Sequence, residues 1–281
     1  MIRLLVDSSS DFTMEEVKNK NLYHVPLTIS LNGKDYLSGE DLTSDQFYEL
    51  LTAGNDFPKT SQPSPQAFAE IFEKAKEDGD EIICVLLSSA LSGTCQSAHL
   101  AKDMVDYDGI YIVDSLTATI MTRVIVDYGL QLIAQGKSAA ETVDALESMK
   151  GKVKVAAGID TLEYLYRGGR LNKAAATIGE LANLKPVITV TDEGTVSILG
   201  KCIGKNKALN FILKTLSSKE LNPDFPLYTV YAYGSENTEK LEEKLTAEGY
   251  NISARLQLGS TIGAHVGPGA FGIIYVEKNN Y

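Results

Sequence analysis

The chain has 281 residues, enough for two domains or one large one, and its 44% hydrophobic and 22% charged residues are an ordinary balance for a globular protein. A formal net charge of −11 argues against general nucleic-acid or anionic-membrane binding, which depends on a basic face. There is no apolar run of membrane-spanning length, Asp7 comes too early for a signal peptide, and Cys84, Cys95 and Cys202 are too far apart for an evident disulfide or zinc site, fitting buried, reduced cysteines in the cytoplasm.

Residues 2–6 predict a buried strand, ending in the polar turn Asp7-Ser8-Ser9-Ser10-Asp11, which can cap a helix from about Thr13 to Lys20. Residues 22–31 read as β, and Asn32-Gly33 is a hairpin signal into Lys34–Leu37. A helix follows from Leu42-Thr43-Ser44 to about Gly54. Thr60-Ser61-Gln62-Pro63-Ser64-Pro65 then precedes a helix to about Gly79, with Pro65 suited to its first turn. Glu81–Leu87 is a continuous apolar run, typical of a parallel strand covered on both faces. It leads into Ser88-Ser89-Ala90-Leu91-Ser92-Gly93-Thr94 and a helix over about 91–105. Ile110–Val113 is another buried strand, ending at Asp114, before a long helix to about Ala134 and a shorter one over 138–149. Strand, polar turn and helix thus recur three times, which predicts a parallel α/β sheet with its loops at the carboxyl ends of the strands.

The second half changes character. It predicts strands at 153–158, 186–191, 195–199, 227–233, 252–258 and 272–276, with helices over 161–166, 171–183, 205–216 and 238–247. Arg167-Gly168-Gly169-Arg170 reads as an exposed basic turn, and 259–269 as a Gly-rich loop. Hairpins and strands of mixed sense predict a second, mixed α/β sheet. The expected domains are 1–155, with a small β-rich insertion around 22–56, and 156–281.

The two hydroxyl-rich runs carry the chemistry. Hydroxyls and free N–H groups beside helix starts form a receptor for an anion or carboxylate. Gly267–Gly272 matches the spacing G-x-G-x-x-G, but a strand rather than a helix follows it, so it is no dinucleotide fingerprint. No metal-ligand spacing is present. Asp7, Asp11 and Asp114 follow strands and read as caps. Of the three histidines, His24 and His99 read as structural, whereas His265 sits among small residues where a site residue fits. A hydrolase would pair Ser92 with His265, but it lacks the nucleophile elbow and an evident orienting acid.

Together the segments resemble the DegV family of bacterial fatty-acid-binding proteins, lipid-carrying subunits of a fatty acid kinase. The resemblance rests on Asp7–Asp11, Thr60–Ser64, Ser88–Ala98, Tyr164–Arg170 and Gly263–Gly269, and their order and spacing cover essentially the whole chain. It implies an N-terminal parallel-sheet, Rossmann-like domain and a C-terminal mixed-sheet α/β domain, with a long-chain fatty acid buried between them and no other cofactor. It further implies that Thr60 and Ser92 hold the carboxylate, helped by Ser61 and the Gly93 backbone, with His265 in the same network. Arg170, with Arg167 in the same turn, is implied in docking a separate kinase that makes an acyl-phosphate for phospholipid synthesis, and an acyltransferase is the further partner this reading admits. The family often carries an Arg before the helix that starts near Lys205; here Lys201-Cys202-Ile203-Gly204-Lys205 lacks it. The physics agrees: about fourteen buried methylenes at ~0.8 kcal/mol each yield a gross gain on the order of 11 kcal/mol, so a few donors suffice for the head group. The expectation is a non-catalytic cytoplasmic carrier. The alternatives are a lipid-acting esterase or acyl transferase using Ser92 and His265, and a lipid sensor sharing the same pocket.

Overall fold

A computed structural model describes residues 1–171 and 183–278. The helix expected over 171–183 lies outside the described residues except at its two ends. The first half contains β1 (Ile2–Asp7), α1 (Met14–Asn19), β2 (Tyr23–Val25), β3 (Thr28–Leu31), β4 (Lys34–Leu37), α2 (Ser44–Ala53), β5 (Lys59–Ser61), α3 (Pro65–Asp78), β6 (Glu81–Leu86), α4 (Thr94–Val105), β7 (Ile110–Asp114), α5 (Ile120–Ala134) and α6 (Ala139–Glu147). The second half contains β8 (Val153–Gly158), α7 (Glu163–Arg167), β9 (Leu184–Val190), β10 (Val196–Ile203), α8 (Lys205–Ser217), β11 (Tyr228–Tyr231), α9 (Glu236–Ala247), β12 (Ala254–Gln257), α10 (Ser260–Val266) and β13 (Phe271–Val276).

The first sheet is parallel, in the order β2-β1-β6-β7. Its direction of winding reverses between β1 and β6, so their following turns flank a crevice at the carboxyl end of the sheet. Those turns are Ser8–Ser10 and the Ser88 run. Asp7 ties them: its carboxylate accepts from Ser9 N and from Leu87 N, each at 2.8 Å. The second sheet is mixed, in the order β10-β9-β8-β13-β11-β12, with only β11 and β12 parallel among the pairs described. A small antiparallel sheet, β4-β3-β5, packs beside them. Its hairpin turns at Asn32 (φ 54°) and Gly33 (φ 74°), the left-handed pair that the Asn-Gly signal predicts.

Alternation along the strands sorts the core. Leu4 and Val6 face the side covered by α5 while Leu5 faces α3 and α4; Val155 and Ala157 face the first lobe while Ala156 faces α8. One apolar layer is therefore shared by both lobes. The three cysteines are buried and unpaired.

Several boundaries differ from the sequence reading. Residues 22–31 split into β2, in the parallel sheet, and β3, in the small one, which is completed by β5 beyond residue 56. The segment 88–93 is a tight turn, with Leu91 N and Ser92 N both bonded to Ser88 O, so α4 starts only at Thr94. The β8 strand straddles 155/156 and lies wholly in the second sheet; we therefore propose the domain division just before Val153. The expected loop over 259–269 contains a helix, α10. The stretch holds four glycines, which argue against a helix, but only Gly263 lies within it, and that position is packed too tightly for a side chain. A Cβ there would stand 2.5 Å from the Tyr48 hydroxyl oxygen and 2.9 Å from a Phe47 ring carbon.

Gly263→Ala is accordingly expected to destabilise the fold by about 1–3 kcal/mol through overpacking. Urea unfolding measures this, and an unchanged midpoint would contradict the close approach of α10 to α2.

Candidate functional site

An apolar cavity lies between the parallel sheet's carboxyl end and the inner face of the second sheet. Its long walls are aliphatic: Val155 and Ala157 from β8, Ile188 and Val190 from β9, Val230 from β11, and Leu258. These are the residues that alternation turns toward the first lobe, and their small and branched side chains leave the space open. At one end the wall changes to Thr60, Ser92, Arg170 and His265, with Leu91 beside them.

Each polar group reaches this end on a different element. Thr60 sits on the short edge strand β5, half-buried, and Ser92 on the tight turn before α4. His265 occupies the last turn of α10 and Arg170 the turn after α7. Thr60 Oγ1 and His265 Nε2 are 2.8 Å apart, a hydrogen bond between the two lobes. The Ser92 and Thr94 hydroxyls are 2.9 Å apart. Gly93 caps α4 without offering a side-chain acceptor, which leaves the first N–H groups of that helix available to an anion. Gln62 lies directly over Gly93: a Cβ there would stand 1.9 Å from Gln62 Oε1, while Gln62 Nε2 donates to Ser97 Oγ at 2.9 Å. A side chain at 93 would displace the Gln62 amide.

The basic turn is exposed at Arg167 and Gly169, but Arg170 itself turns inward. It is half-buried because main-chain acceptors draw it inward: Nε donates to Leu91 O at 2.9 Å, and Nη1 donates to Gly168 O. Burial lowers its affinity for a proton, but a guanidinium stays charged. Arg167, by contrast, is about half exposed, pairs with Glu163 and stacks over Phe57 with its guanidinium carbon 3.9 Å from the ring centre. Ser61 is exposed and absent from the cavity wall, since neighbouring residues of a strand face opposite ways. The structure thus brings Thr60, Ser92, Arg170 and His265 together, with Gly93 beside them, and leaves Ser61 and Arg167 outside.

Burial lowers the His265 pKa to about 4, helped by the positive charge of Arg170, so the ring is neutral at physiological pH. Its Nδ1 is buried without a hydrogen-bond partner and packs on Gly168, where a Cβ would stand 2.2 Å from it. No carboxylate orients the ring, and Ser92 is bonded to Thr94 rather than to His265. That is not the arrangement of an activated serine. Among the described residues, no group of three His, Cys, Asp or Glu side chains could hold a metal ion, and no helix is long and apolar enough to cross a membrane.

Sequence reasoning missed Gln62 and the inward turn of Arg170. Gln62 stood inside the Thr60 run and was the available signal; the carbonyls that hold Arg170 have none.

Comparison with known proteins places this geometry. A family model described as "Uncharacterised protein, DegV family" matches residues 1–278. A DegV domain-containing protein of Caldanaerobacter subterraneus is 34% identical over 281 residues, covering 99% of each chain. Among solved structures, a DegV family protein from Thermus thermophilus described by its fatty acid binding superposes with a TM-score of 0.88, at 32% identity and 99% coverage of both chains. A stearic acid-binding protein from Eubacterium ventriosum also gives a TM-score of 0.88, at 27% identity and the same coverage. The chain belongs to the DegV family.

The buried neutral imidazole has a pH consequence. Its folded pKa lies below the unfolded value of 6.5, so its contribution is complete above that value and is lost as pH falls through about 4. His265→Gln is expected to flatten the stability loss between pH 6.5 and 4 by up to roughly 3 kcal/mol. Denaturant titrations across this range measure it; equal slopes in both proteins would mean that His265 titrates normally.

Proposed function

We propose that this member of the DegV family is a non-catalytic carrier that holds a long-chain fatty acid, with the acyl chain in the cavity between the sheets and the carboxylate at its polar end. The observation that carries this reading is a mainly aliphatic cavity in which the one charged side chain, Arg170, and the imidazole of His265 gather with Thr60 and Ser92 at one end. That shape matches a ligand with one anionic head and a tail needing only dry space. The fatty acid binding described for the Thermus thermophilus and Eubacterium ventriosum proteins supports it.

In this reading Thr60 and Ser92 donate their hydroxyl protons to the carboxylate. Neutral His265 holds Thr60 in position, and the amides after Gly93 add donors. Arg170 belongs to the head group rather than to the outer surface, because its charge lies at the cavity end. Arg167 is left to face a partner. That partner is a fatty acid kinase, which would phosphorylate the presented carboxyl; the carrier would pass the acyl-phosphate to an acyltransferase in phospholipid synthesis. A cytoplasmic location follows from this role. The enclosed site would slow hydrolysis of the acyl-phosphate by excluding water.

Organic extraction of purified protein followed by mass spectrometry is expected to yield one long-chain fatty acid per chain, strongly depleted in the Thr60→Ala plus Ser92→Ala variant. No lipid, and no uptake of added fatty acid, would sink the carrier reading. Turnover of a short-chain ester that Ser92→Ala abolishes would instead establish a hydrolase. Arg170→Ala is expected to weaken fatty acid binding by about tenfold or more, as loss of a charged hydrogen bond of ~1.5–3 kcal/mol requires. Unchanged affinity with impaired phosphorylation by a fatty acid kinase would return Arg170 to the docking surface.

A further inference from the structure

The turn between β7 and α5 supplies Ala118 and Thr119 to the acyl cavity, and its backbone is strained. Leu116 has φ 50°, and Thr119 has φ 58° with ψ −149°. A β-branched residue seldom holds such a conformation unless its surroundings fix it. What fixes it is a hydrogen bond of 2.6 Å from Thr119 Oγ1 to Asp11 Oδ2. Asp11 is itself left-handed, at φ 57°. Its other oxygen, Oδ1, is buried without a partner against Gly259, where a Cβ would stand 2.7 Å away. Gly259 opens α10, the helix that carries His265. One carboxyl thus touches both segments that shape the cavity, one from each lobe.

A second, polar cleft runs between the lobes on the far side of this pair. Asp11, Ser8, Ser38, Ser260 and Arg123 line it. Thr119 faces the acyl cavity and Asp11 faces the cleft, so their hydrogen bond crosses the partition. Thr261, also on the cavity wall, continues that partition: its hydroxyl lies 3.0 Å from that of Ser8 and donates to Ser38 at 2.8 Å.

We propose that Asp11 is a positioning residue for the lipid site: through Thr119 it latches the β7–α5 turn against the acyl cavity and closes the partition between that cavity and the interlobe cleft. The role in lipid binding rests on the fatty acid reading above; the latch itself does not. Breaking it frees Thr119 to leave its strained conformation, which loosens one wall of the cavity and speeds release of an acyl chain.

The latch responds to pH. Burial raises the Asp11 pKa from 3.8 to about 7; the Thr119 hydroxyl, the Gly259 backbone and Arg123 of α5 pull it down, and Asp7 at the end of β1 pushes it up. Tyr48 of α2 also faces it, un-ionised. Because the folded value is the higher one, the contribution of Asp11 is complete below the unfolded value and is lost as pH rises through about 7. The Thr119 bond itself favours the ionised carboxylate; the loss comes from burying that charge, which opening the turn to water relieves, so the closed turn loosens between pH 6 and pH 8.

Amide hydrogen exchange over residues 115–120 of the full chain, corrected for chemical exchange rates, tests this. Wild type should exchange at least threefold faster at pH 8 than at pH 6. Asp11→Asn keeps an acceptor for Thr119 and tolerates the left-handed backbone, so it should match wild type at pH 6 and show no pH dependence. Asp11→Ala and Thr119→Val should exchange at least tenfold faster at both pH values, and Thr119→Ser should restore protection. Release of cis-parinaric acid into excess palmitate, followed by stopped flow, should accelerate in the same variants. Wild-type protection in Thr119→Val or in folded Asp11→Ala, or wild-type pH dependence in Asp11→Asn, would overturn the latch. Failure of wild type to take up cis-parinaric acid would overturn the fatty acid reading and the effect on release, while the exchange data would still decide the latch.

Discussion

The hydrogen bond between Thr60 and His265 joins groups 205 residues apart, one from each lobe, at the polar end of an otherwise aliphatic cavity. The site depends on it in two ways. It fixes the edge strand β5 against α10, so that the hydroxyl has one direction to face. It also satisfies a buried imidazole nitrogen that would otherwise be costly to desolvate. The tight packing of α10 on Tyr48 and Phe47, and of the ring on Gly168, serves the same end. A helix that could slide would carry His265 off Thr60.

The two faces of the shared core divide the labour. The parallel sheet supplies turns, because its strands all end at one edge and its winding reverses between β1 and β6. The mixed sheet supplies a wall, because β8, β9 and β11 turn small or branched side chains toward the first lobe. Where the turns meet the wall, the environment changes from aliphatic to polar over a short distance. A fatty acid needs that change: its tail gains by leaving water, whereas its carboxylate can be buried only among donors.

Much of the fold was readable because buried parallel strands are continuous apolar runs and the turns after them are rich in capping residues. Glu81–Leu86 followed by the Ser88 run is the clearest instance, and Asn32-Gly33 told its turn type outright. Thr60 and Ser92 stood in hydroxyl-rich runs beside helix starts and His265 in a loop of small residues, and the roles expected of them came from the family resemblance. Other features left no trace. Helix α10 was hidden by the glycines that let it pack so closely. Arg170 points inward because two main-chain carbonyls draw it there, and a carbonyl has no letter in the sequence. Lys59-Thr60-Ser61 is too short to read as a strand, so the opposite facings of Thr60 and Ser61 could not be foreseen. The aliphatic cavity wall is chemically the same as core.

A partition of serines and threonines beside an aliphatic cavity is at first sight a liability, since each hydroxyl prefers water to hydrocarbon. The geometry resolves this. Ser8, Ser38, Ser260 and Thr261 bond to one another at 2.8–3.0 Å, and Leu27 N donates to Ser8 Oγ at 3.0 Å. Thr119 has its partner in Asp11. With their polar atoms committed to the partition, these side chains can turn methyl and methylene groups toward the cavity, which stays dry although polar residues border it. The same satisfied network couples the lobes: separating them would strand several buried hydroxyls at once, at a cost that no aliphatic contact of similar area carries.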